Sequence, residues 1–316
     1  MEYRELGRTG LTVSAVSYGT ASYGTAPLGD MFGTADEIQG LRTVRQALDA
    51  GITFFDTSPY YGGGLAEERL GKALRGVRDR VIVGTKAGRY GVDRFDFSPA
   101  RIRASVENSL RLLGMDHVYI LQLHDIEFVG LDGVFTDSYA ELVRLRDAGL
   151  CRFIGMTGYP IPTLRRAIQQ TDLDVVPSYA HGTLLDACVR RDLLPLARRR
   201  GVGVINAAAV ALGLLTPGES RIGIDHPAGP RIREAARRVA AVCEANGVDV
   251  SFLANQFAIQ RSGCATTVVG TVNPRHLDSA VVAARTPIDD TLLTRVLEAS
   301  AEVRDTCWTS GLAANN

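Results

Sequence analysis

The chain has 316 residues, 46% of them hydrophobic and 22% charged, so it can bury a large core, and its composition excludes a disordered protein. Lysine plus arginine equals aspartate plus glutamate at 35 each, which favours a small-molecule partner and neither nucleic acid nor a membrane surface. Five widely spaced cysteines, a charged start and no apolar run of about 18 residues predict a cytoplasmic protein with reduced thiols.

In chain order, the first feature is YRELGRTGLTVS, where Gly7 and Gly10 lie between two short extended pieces and predict a β-hairpin. Short apolar segments then alternate with amphipathic ones to the end. The strand candidates are 13–20, 52–58, 81–86, 118–124, 151–158, 174–181, 202–209 and 266–271. Because these segments are apolar throughout, they predict a parallel sheet covered on both faces. We therefore expect an α/β fold, a (β/α)8 TIM barrel in one domain over 1–316, with the hairpin capping the barrel floor and extra C-terminal helices.

The clearest helix is SPARIRASVENSLRLLG. Ser98 is the expected N-cap, Pro99 occupies the first helical position and Gly114 ends the helix. One apolar stripe recurs every three or four residues, at Ile102, Val106, Leu110 and Leu113.

A doubly wound dinucleotide-binding sheet is the main alternative fold. It requires G-x-G-x-x-G directly after a strand and before a helix. That pattern is missing: Gly201 and Gly203 precede a strand, and Asn206 stands where the third glycine would be.

Polar side chains gather where the predicted strands end, and in a parallel barrel these ends share one mouth. Asp56 and Tyr61 follow the second barrel strand, Lys86 ends the third and His124 ends the fourth. Each alone has a structural explanation, as a turn cap, a rim side chain, a solvated strand end or a hydrogen-bonded histidine. Four such groups converging on one cleft are costly to fold, and this favours a catalytic site.

The chemistry of such a group follows from its pKa values. Bringing a phenol from its ordinary pKa of ~10 to ~7 takes about 4 kcal/mol, which one ammonium at ~4 Å can supply. We therefore expect Lys86 to make Tyr61 an acid or base, Asp56 to hold Lys86, and His124 to hydrogen-bond a substrate oxygen. Since no metal-binding triad is evident, the accompanying step is expected to be hydride transfer with a nicotinamide.

These motifs resemble the aldo-keto reductase family along nearly the whole chain. They are LGRTGLTVS, GITFFDTSPYYGGG, VIVGTKAGRY, YILQLHDIEF, RFIGMTG and TVVGTVNPRHL. The resemblance implies a catalytic tetrad of Asp56, Tyr61, Lys86 and His124. It is closest to the branch that oxidises aldoses such as L-galactose and L-fucose at C1, which implies a lactone product and an NAD cofactor.

The resemblance also implies a cofactor site, although Thr157 and Gly158 stand where the family has Ser-Asn, and Ala207 replaces an aromatic residue. The implied contacts are Gly19, Thr157, Gly158, Ser178, Ala207, Leu212, Gly213, Gly270, Thr271, Asn273 and His276. NADPH-dependent relatives place a Lys and an Arg at the positions of Gly270 and His276, so the clamp for a 2′-phosphate is missing. We therefore expect NAD+; NADP+ remains an alternative because Arg275 is adjacent.

Four more residues are candidate substrate contacts: Tyr60, Asp125, His181 and Trp308. Asp125 either shapes a sugar pocket or faces solvent, and Trp308 either packs at the rim or stacks on a sugar. A carbonyl reductase, a dehydrogenase of another small alcohol such as pyridoxal, and a nucleotide-sensing subunit remain alternatives. A metal-dependent hydrolase using Asp56, His124 and Asp125 is disfavoured by the lack of an H-x-H pair. The oligomeric state, monomer or weak homo-oligomer, stays open.

Overall fold

The computed structural model describes residues 1–23, 36–217, 226–304 and 306–316. Eight parallel strands close into a barrel in the order β10-β3-β4-β5-β6-β7-β8-β9. The strands are β1 (Tyr3–Glu5), β2 (Thr12–Ser14), β3 (Val16–Gly19), β4 (Phe54–Asp56), β5 (Ile82–Ala87), β6 (Val118–Leu123), β7 (Cys151–Met156), β8 (Val175–Tyr179), β9 (Gly203–Ala207) and β10 (Thr266–Gly270). The predicted barrel is confirmed, with all eight predicted segments contributing a strand.

The first predicted strand, 13–20, is in fact two. Thr12–Ser14 pairs antiparallel with β1, and Val16–Gly19 joins the barrel between β10 and β4. Several other predicted strands are too long at their C-terminal ends. There the backbone leaves the ladder and turns into the mouth, so residues 57 and 58 and residues 157 and 158 belong to loops.

The hairpin β1–β2 closes the floor of the barrel, as predicted. Its turn glycines Gly7 and Gly10 both have positive φ, a conformation that favours glycine. A Cβ on Gly7 would lie 2.3 Å from the backbone nitrogen of Gly203, so the turn touches the start of β9 directly. Leu6 and Val13 pack into the same apolar cluster as the inward side chains of the strands: Phe54, Ile82, Ile120, Val175 and Ile205.

Helices surround the barrel. They are α1 (Glu37–Asp49), α2 (Leu65–Ala73), α3 (Pro99–Leu113), α4 (Leu131–Gly133), α5 (Tyr139–Asp147), α6 (Ile161–Gln170), α7 (Leu194–Arg200), α8 (Pro230–Ala245), α9 (Val250–Gln260), α10 (Pro274–Arg285) and α11 (Asp290–Ala299). Two helices, α8 and α9, separate β9 from β10, and α11 follows α10, so the expected extra C-terminal helices are present. They share a second apolar core that includes Val239, Phe257 and Val296. Among the described residues, no helix has the length and hydropathy needed to cross a membrane.

Helix α3 begins and ends as the sequence predicts. Ser98 is the N-cap residue, Pro99 opens the helix and Gly114 ends it with φ 64°. The Ser98 side chain makes no capping hydrogen bond; instead Asp96 accepts from the Ser98 amide at 2.9 Å. The predicted apolar stripe is buried between the helix and the barrel.

The phase of the strands decides which side chains reach the mouth. Side chains alternate between the two faces of a strand. Since Phe54, Ile82 and Ile120 line the barrel interior at the floor, residues two or four positions later also point inward, near the mouth. Asp56, Lys86 and His124 are those residues.

Candidate functional site

Asp56 and Lys86 form a buried ion pair at the mouth. The Lys86 ammonium donates to Asp56 Oδ2 at 2.6 Å and to the Thr57 carbonyl at 2.7 Å. It also lies 5.0 Å from the centre of the Tyr61 ring and interacts electrostatically with the Tyr61 hydroxyl. Burial opposes the charge on Lys86, but Asp56 and Tyr61 outweigh it and raise the Lys86 pKa. The lysine therefore stays positively charged beside the phenol.

His124 completes the cluster. Its ring stands at 90° to the Tyr61 ring, with centroids 5.7 Å apart. Its Nδ1 lies 3.0 Å from the Ser58 hydroxyl, which already accepts a hydrogen bond from the Tyr60 amide. We assign the Ser58 proton to Nδ1, which leaves the imidazole proton on Nε2 as a donor. Burial, together with the charges of nearby cations, lowers the His124 pKa to about 3, so the ring is neutral near pH 7.

The expected Tyr61 pKa near 7 is wrong. The sequence-based value near 7 considered only the charge of Lys86. In the structure, burial is the largest effect and raises the Tyr61 pKa to about 12, although Lys86 pulls it down. Tyr61 is therefore protonated at neutral pH.

A second ion pair, between Arg89 and Asp125, lies at the rim. Asp125 is buried, so it does not face solvent. Its carboxylate pairs with Arg89 and accepts from the Thr157 hydroxyl at 3.2 Å. Burial favours the neutral acid, but the Arg89 charge helps to hold the Asp125 pKa below its usual range. The Arg89 guanidinium also stacks 4.2 Å from the centre of the Tyr60 ring and donates to its hydroxyl at 3.3 Å.

Sequence reasoning missed Arg89, although the motif KAGRY places it three residues after Lys86. Ser58 was also missed, two residues after Asp56. In both cases the signal was present as a polar residue in the loop that follows a tetrad strand. Their partners, however, lie on other loops.

The predicted substrate contacts at His181 and Trp308 are not supported by the geometry. His181 Nδ1 lies 2.7 Å from Asp186 Oδ2, and Nε2 lies 2.8 Å from the Tyr159 carbonyl, so no ring nitrogen is left for a substrate. Trp308 stacks on Tyr159 with centroids 4.6 Å apart. The Trp308 stacking therefore fixes the C-terminal tail against the barrel, whereas His181 is held by Asp186 and Tyr159.

Three of the predicted cofactor positions lie together and leave one side of the mouth without large side chains. Gly19, Gly270 and Ala207 end the adjacent strands β3, β10 and β9 and point inward by the alternation of each strand. A Cβ on Gly19 would lie 2.7 Å from a methyl of Val268. Gly19 is the register partner of Asp56, so this side of the mouth adjoins the tetrad and carries no large side chain there.

The remaining predicted cofactor positions are spread over several loops. Thr271, Asn273 and His276 surround the first turn of α10, where Asn273 accepts from the Arg275 amide at 3.0 Å. Helix N-termini of this kind suit phosphate groups. Ser178, by contrast, lies out of phase. Its neighbour Val176 packs in the outer core, so Ser178 points toward the helices while Tyr179 points inward. The Thr157 hydroxyl is engaged by Asp125.

Strained backbone concentrates at the same mouth. Five described residues other than glycine have positive φ: Asp125, Ala180, Ala208, Ala211 and Leu212. All follow β6, β8 or β9 directly or within a few residues. Such conformations cost about 1–3 kcal/mol each and gather at functional sites. The predicted cofactor positions Leu212 and Gly213 belong to the strained loop after β9. Gly158 forms an isolated parallel β-bridge with Ser178.

Comparison with known proteins identifies the family. The aldo/keto reductase family model matches residues 15–301. L-Galactose dehydrogenase from Arabidopsis thaliana is 38% identical over 100% of this chain and 99% of its own length. D-Threo-aldose 1-dehydrogenase from a Pseudomonas species is 30% identical over 85% of this chain and 88% of its own.

A solved aldo-keto reductase from Bacillus halodurans, in its holo form, superposes with a TM-score of 0.75 at 24% identity, covering 95% of this chain and 96% of that one. At that identity the superposition supports the fold alone. The family model and the relatives, which match most of the chain, support the assignment to a family. The chain therefore belongs to the aldo/keto reductase family of NAD(P)-dependent oxidoreductases.

Proposed function

We propose that this protein is an aldose 1-dehydrogenase that oxidises the anomeric carbon of a neutral sugar to a lactone with NAD+. The observation that carries the proposal is the partly buried Tyr61, whose ring lies 5.0 Å from the ammonium of the Lys86–Asp56 ion pair and at a right angle to the ring of neutral His124. The relatives named for L-galactose and D-threo-aldose support a sugar as the substrate.

Each tetrad residue has a distinct role in this proposal. Tyr61 acts as a base only in its phenolate form, which the charge of Lys86 stabilises. When this phenolate accepts the proton of the anomeric hydroxyl, it becomes a neutral phenol. Asp56 keeps Lys86 charged and pointed at the phenol. His124 Nε2 donates a hydrogen bond to the sugar oxygen and so fixes its position. Because His124 is neutral, it orients the oxygen without adding a positive charge.

NAD+ supplies the hydride acceptor when it is bound. Gly19 and Ala207 would border its nicotinamide, and Gly270, Asn273 and the N-terminus of α10 would lie toward its nucleotide end. Gly270 contributes no side chain there, and His276 and Arg275 are exposed. Among the residues that the structure describes, the 2′-phosphate of NADP+ would therefore meet no buried cationic pair there, which favours NAD+.

The rim favours a neutral polyhydroxy substrate. Arg89 and Asp125 neutralise one another, so neither offers a net charge to a charged substrate. The Tyr60 hydroxyl beside them accepts from Arg89 and can donate to a sugar hydroxyl. A carboxylate or phosphate ester would have to compete with Asp125 for Arg89.

The test is a panel of aldoses, with simple alcohols, pyridoxal and methylglyoxal as comparison substrates, each assayed with NAD+ or NADP+ and with the reduced cofactors. The expected result is formation of NADH with one or a few aldoses, with the lactone identified by mass spectrometry. Faster reduction of methylglyoxal, or oxidation of pyridoxal alone, would reject the sugar assignment. A protein that binds nucleotide and turns over none of these would be a nucleotide-binding subunit instead.

A further inference from the structure

A cluster of two thiols, an imidazole and a carboxylate lies outside the proposed catalytic site. It joins the loop after β8 to the C-terminal tail. Cys307 Sγ lies 3.4 Å from Asp186 Oδ2, 3.8 Å from His181 Nδ1 and 4.0 Å from Cys188 Sγ. Cys188 is buried, whereas Cys307 is exposed. The Cys307 thiol is therefore accessible, and the Cys188 thiol is buried next to it.

The charges within this cluster follow from its hydrogen bonds. His181 has a carboxylate at Nδ1 and a backbone carbonyl at Nε2, so both nitrogens carry protons and the ring is an imidazolium. Burial acts against this charge, but the bond to Asp186 outweighs it and raises the His181 pKa to about 9. The Cys188 thiol and the His181 imidazolium stabilise ionised Cys307 and lower its pKa to about 6. Free cysteine has a pKa of about 8.5.

We propose that Cys307 is a reactive thiol that a hydroperoxide oxidises, and that Cys188 then closes a disulfide with it. In the first step the Cys307 sulfur attacks a peroxide oxygen, the O–O bond breaks, and the leaving oxygen takes a proton to become water or an alcohol. In the second, the Cys188 sulfur attacks the sulfenic acid and the hydroxyl leaves as water. Together the two thiols lose two electrons to the peroxide.

The surroundings of Cys188 suit the second step. Arg191 Nη2 lies 3.5 Å from Cys188 Sγ, so a cation is in place to stabilise the Cys188 thiolate when Cys188 loses its proton. A disulfide requires the sulfurs to come within about 2.05 Å. The two sulfurs, 4.0 Å apart, would have to close that gap.

The disulfide would fasten the C-terminal tail to the barrel. Trp308, next to Cys307, stacks on Tyr159, and Ser310 donates to Glu127 at 2.9 Å. Glu127 Oε1 also lies 3.4 Å from the Tyr179 hydroxyl, which belongs to the inward face of β8. Oxidation would therefore hold the tail beside the mouth.

The experiment treats the full-length protein with a small excess of hydrogen peroxide and maps its cysteines by non-reducing peptide mass spectrometry. We expect a Cys188–Cys307 disulfide that dithiothreitol reverses. In Cys188→Ser, the sulfenic acid on Cys307 should persist and be trapped by dimedone. Cys151→Ser, which removes a thiol buried in the barrel, is the matched control and should behave as the wild type.

A second measurement uses the alkylation rate of Cys307 as a function of pH. We expect a midpoint near pH 6 in the wild type, shifted upward in His181→Gln, which removes the imidazolium beside the Cys307 sulfur. Asp186 is kept in this variant because its carboxylate, 3.4 Å from the same sulfur, opposes the thiolate. Peroxide that leaves Cys307 unmodified, or a wild-type midpoint above pH 8, would overturn the proposal. So would stoichiometric zinc bound by His181, Asp186 and Cys307, whose donor atoms lie within 4.8 Å of one another.

Discussion

The roles of Tyr61 and Lys86 can be separated by two substitutions that differ in how much they lower stability. Tyr61→Phe removes only the hydroxyl. Lys86 keeps both of its acceptors, Asp56 Oδ2 and the Thr57 carbonyl, so its charge remains satisfied. The free energy of unfolding should therefore fall by about 1 kcal/mol at most, the contribution of one hydrogen bond.

The effect of Tyr61→Phe on catalysis should be much larger. Proton transfer by a positioned side chain contributes about 10²- to 10⁴-fold to a rate. This corresponds to about 3–5 kcal/mol of transition-state stabilisation. The assay is kcat/KM for the best aldose of the panel with NAD+, beside nucleotide binding measured by fluorescence, which should not change.

Lys86→Met is the matched comparison. It leaves the buried Asp56 carboxylate without its cation, and breaking such a pair costs about 3 kcal/mol or more. We therefore expect it to lose both activity and stability in denaturant titrations. A Tyr61→Phe enzyme that keeps more than a tenth of wild-type turnover, or a Lys86→Met protein as stable as Tyr61→Phe, would refute the reasoning.

Three further substitutions test other parts of the structure. Glu67→Gln should stabilise the protein at pH 8 by up to about 3 kcal/mol and have little effect at pH 5. Burial raises the Glu67 pKa from 4.5 to about 7, so the folded state loses stability as pH rises between these values. Equal urea midpoints of the wild type and the variant at pH 8 would contradict this. Gly311→Ala should release the C-terminal tail and speed its cleavage by a protease, since Gly311 has φ 71° and a Cβ would lie 2.3 Å from the Glu127 carbonyl oxygen; an unchanged cleavage rate would count against it. Arg89→Met should destabilise the fold at pH 7 by leaving Asp125 unpaired, and adding Asp125→Asn should restore most of the loss in a double-mutant cycle; additive losses would exclude a direct pair.

The sequence predicts the barrel well because each strand is a separate apolar segment with its own turn signals. It also predicts which strand ends are polar, since Asp56, Lys86 and His124 follow apolar runs directly. The phase of a strand is harder, because it depends on where pairing begins. In β8, an error of one residue separates Ser178, which faces the helices, from Tyr179, which faces the mouth.

Long-range contacts and burial explain the other differences. The Arg89–Asp125 pair joins two loops that are 36 residues apart, and only closure of the barrel brings them together. The pKa of Tyr61 needs the degree of burial as well as the neighbouring charge, and the sequence supplies only the charge. His181 is a histidine after a strand, like His124, but Asp186 and the Tyr159 carbonyl occupy its nitrogens.

Leu6 and Val13 fill the floor of the barrel, and this has a consequence for the kinetics. With one end of the barrel sealed, two ligands that meet at Tyr61 share a single entrance. The ligand seated deeper must arrive first and depart last, so initial-rate measurements should obey a compulsory-order scheme. Product-inhibition patterns would then identify which ligand lies underneath.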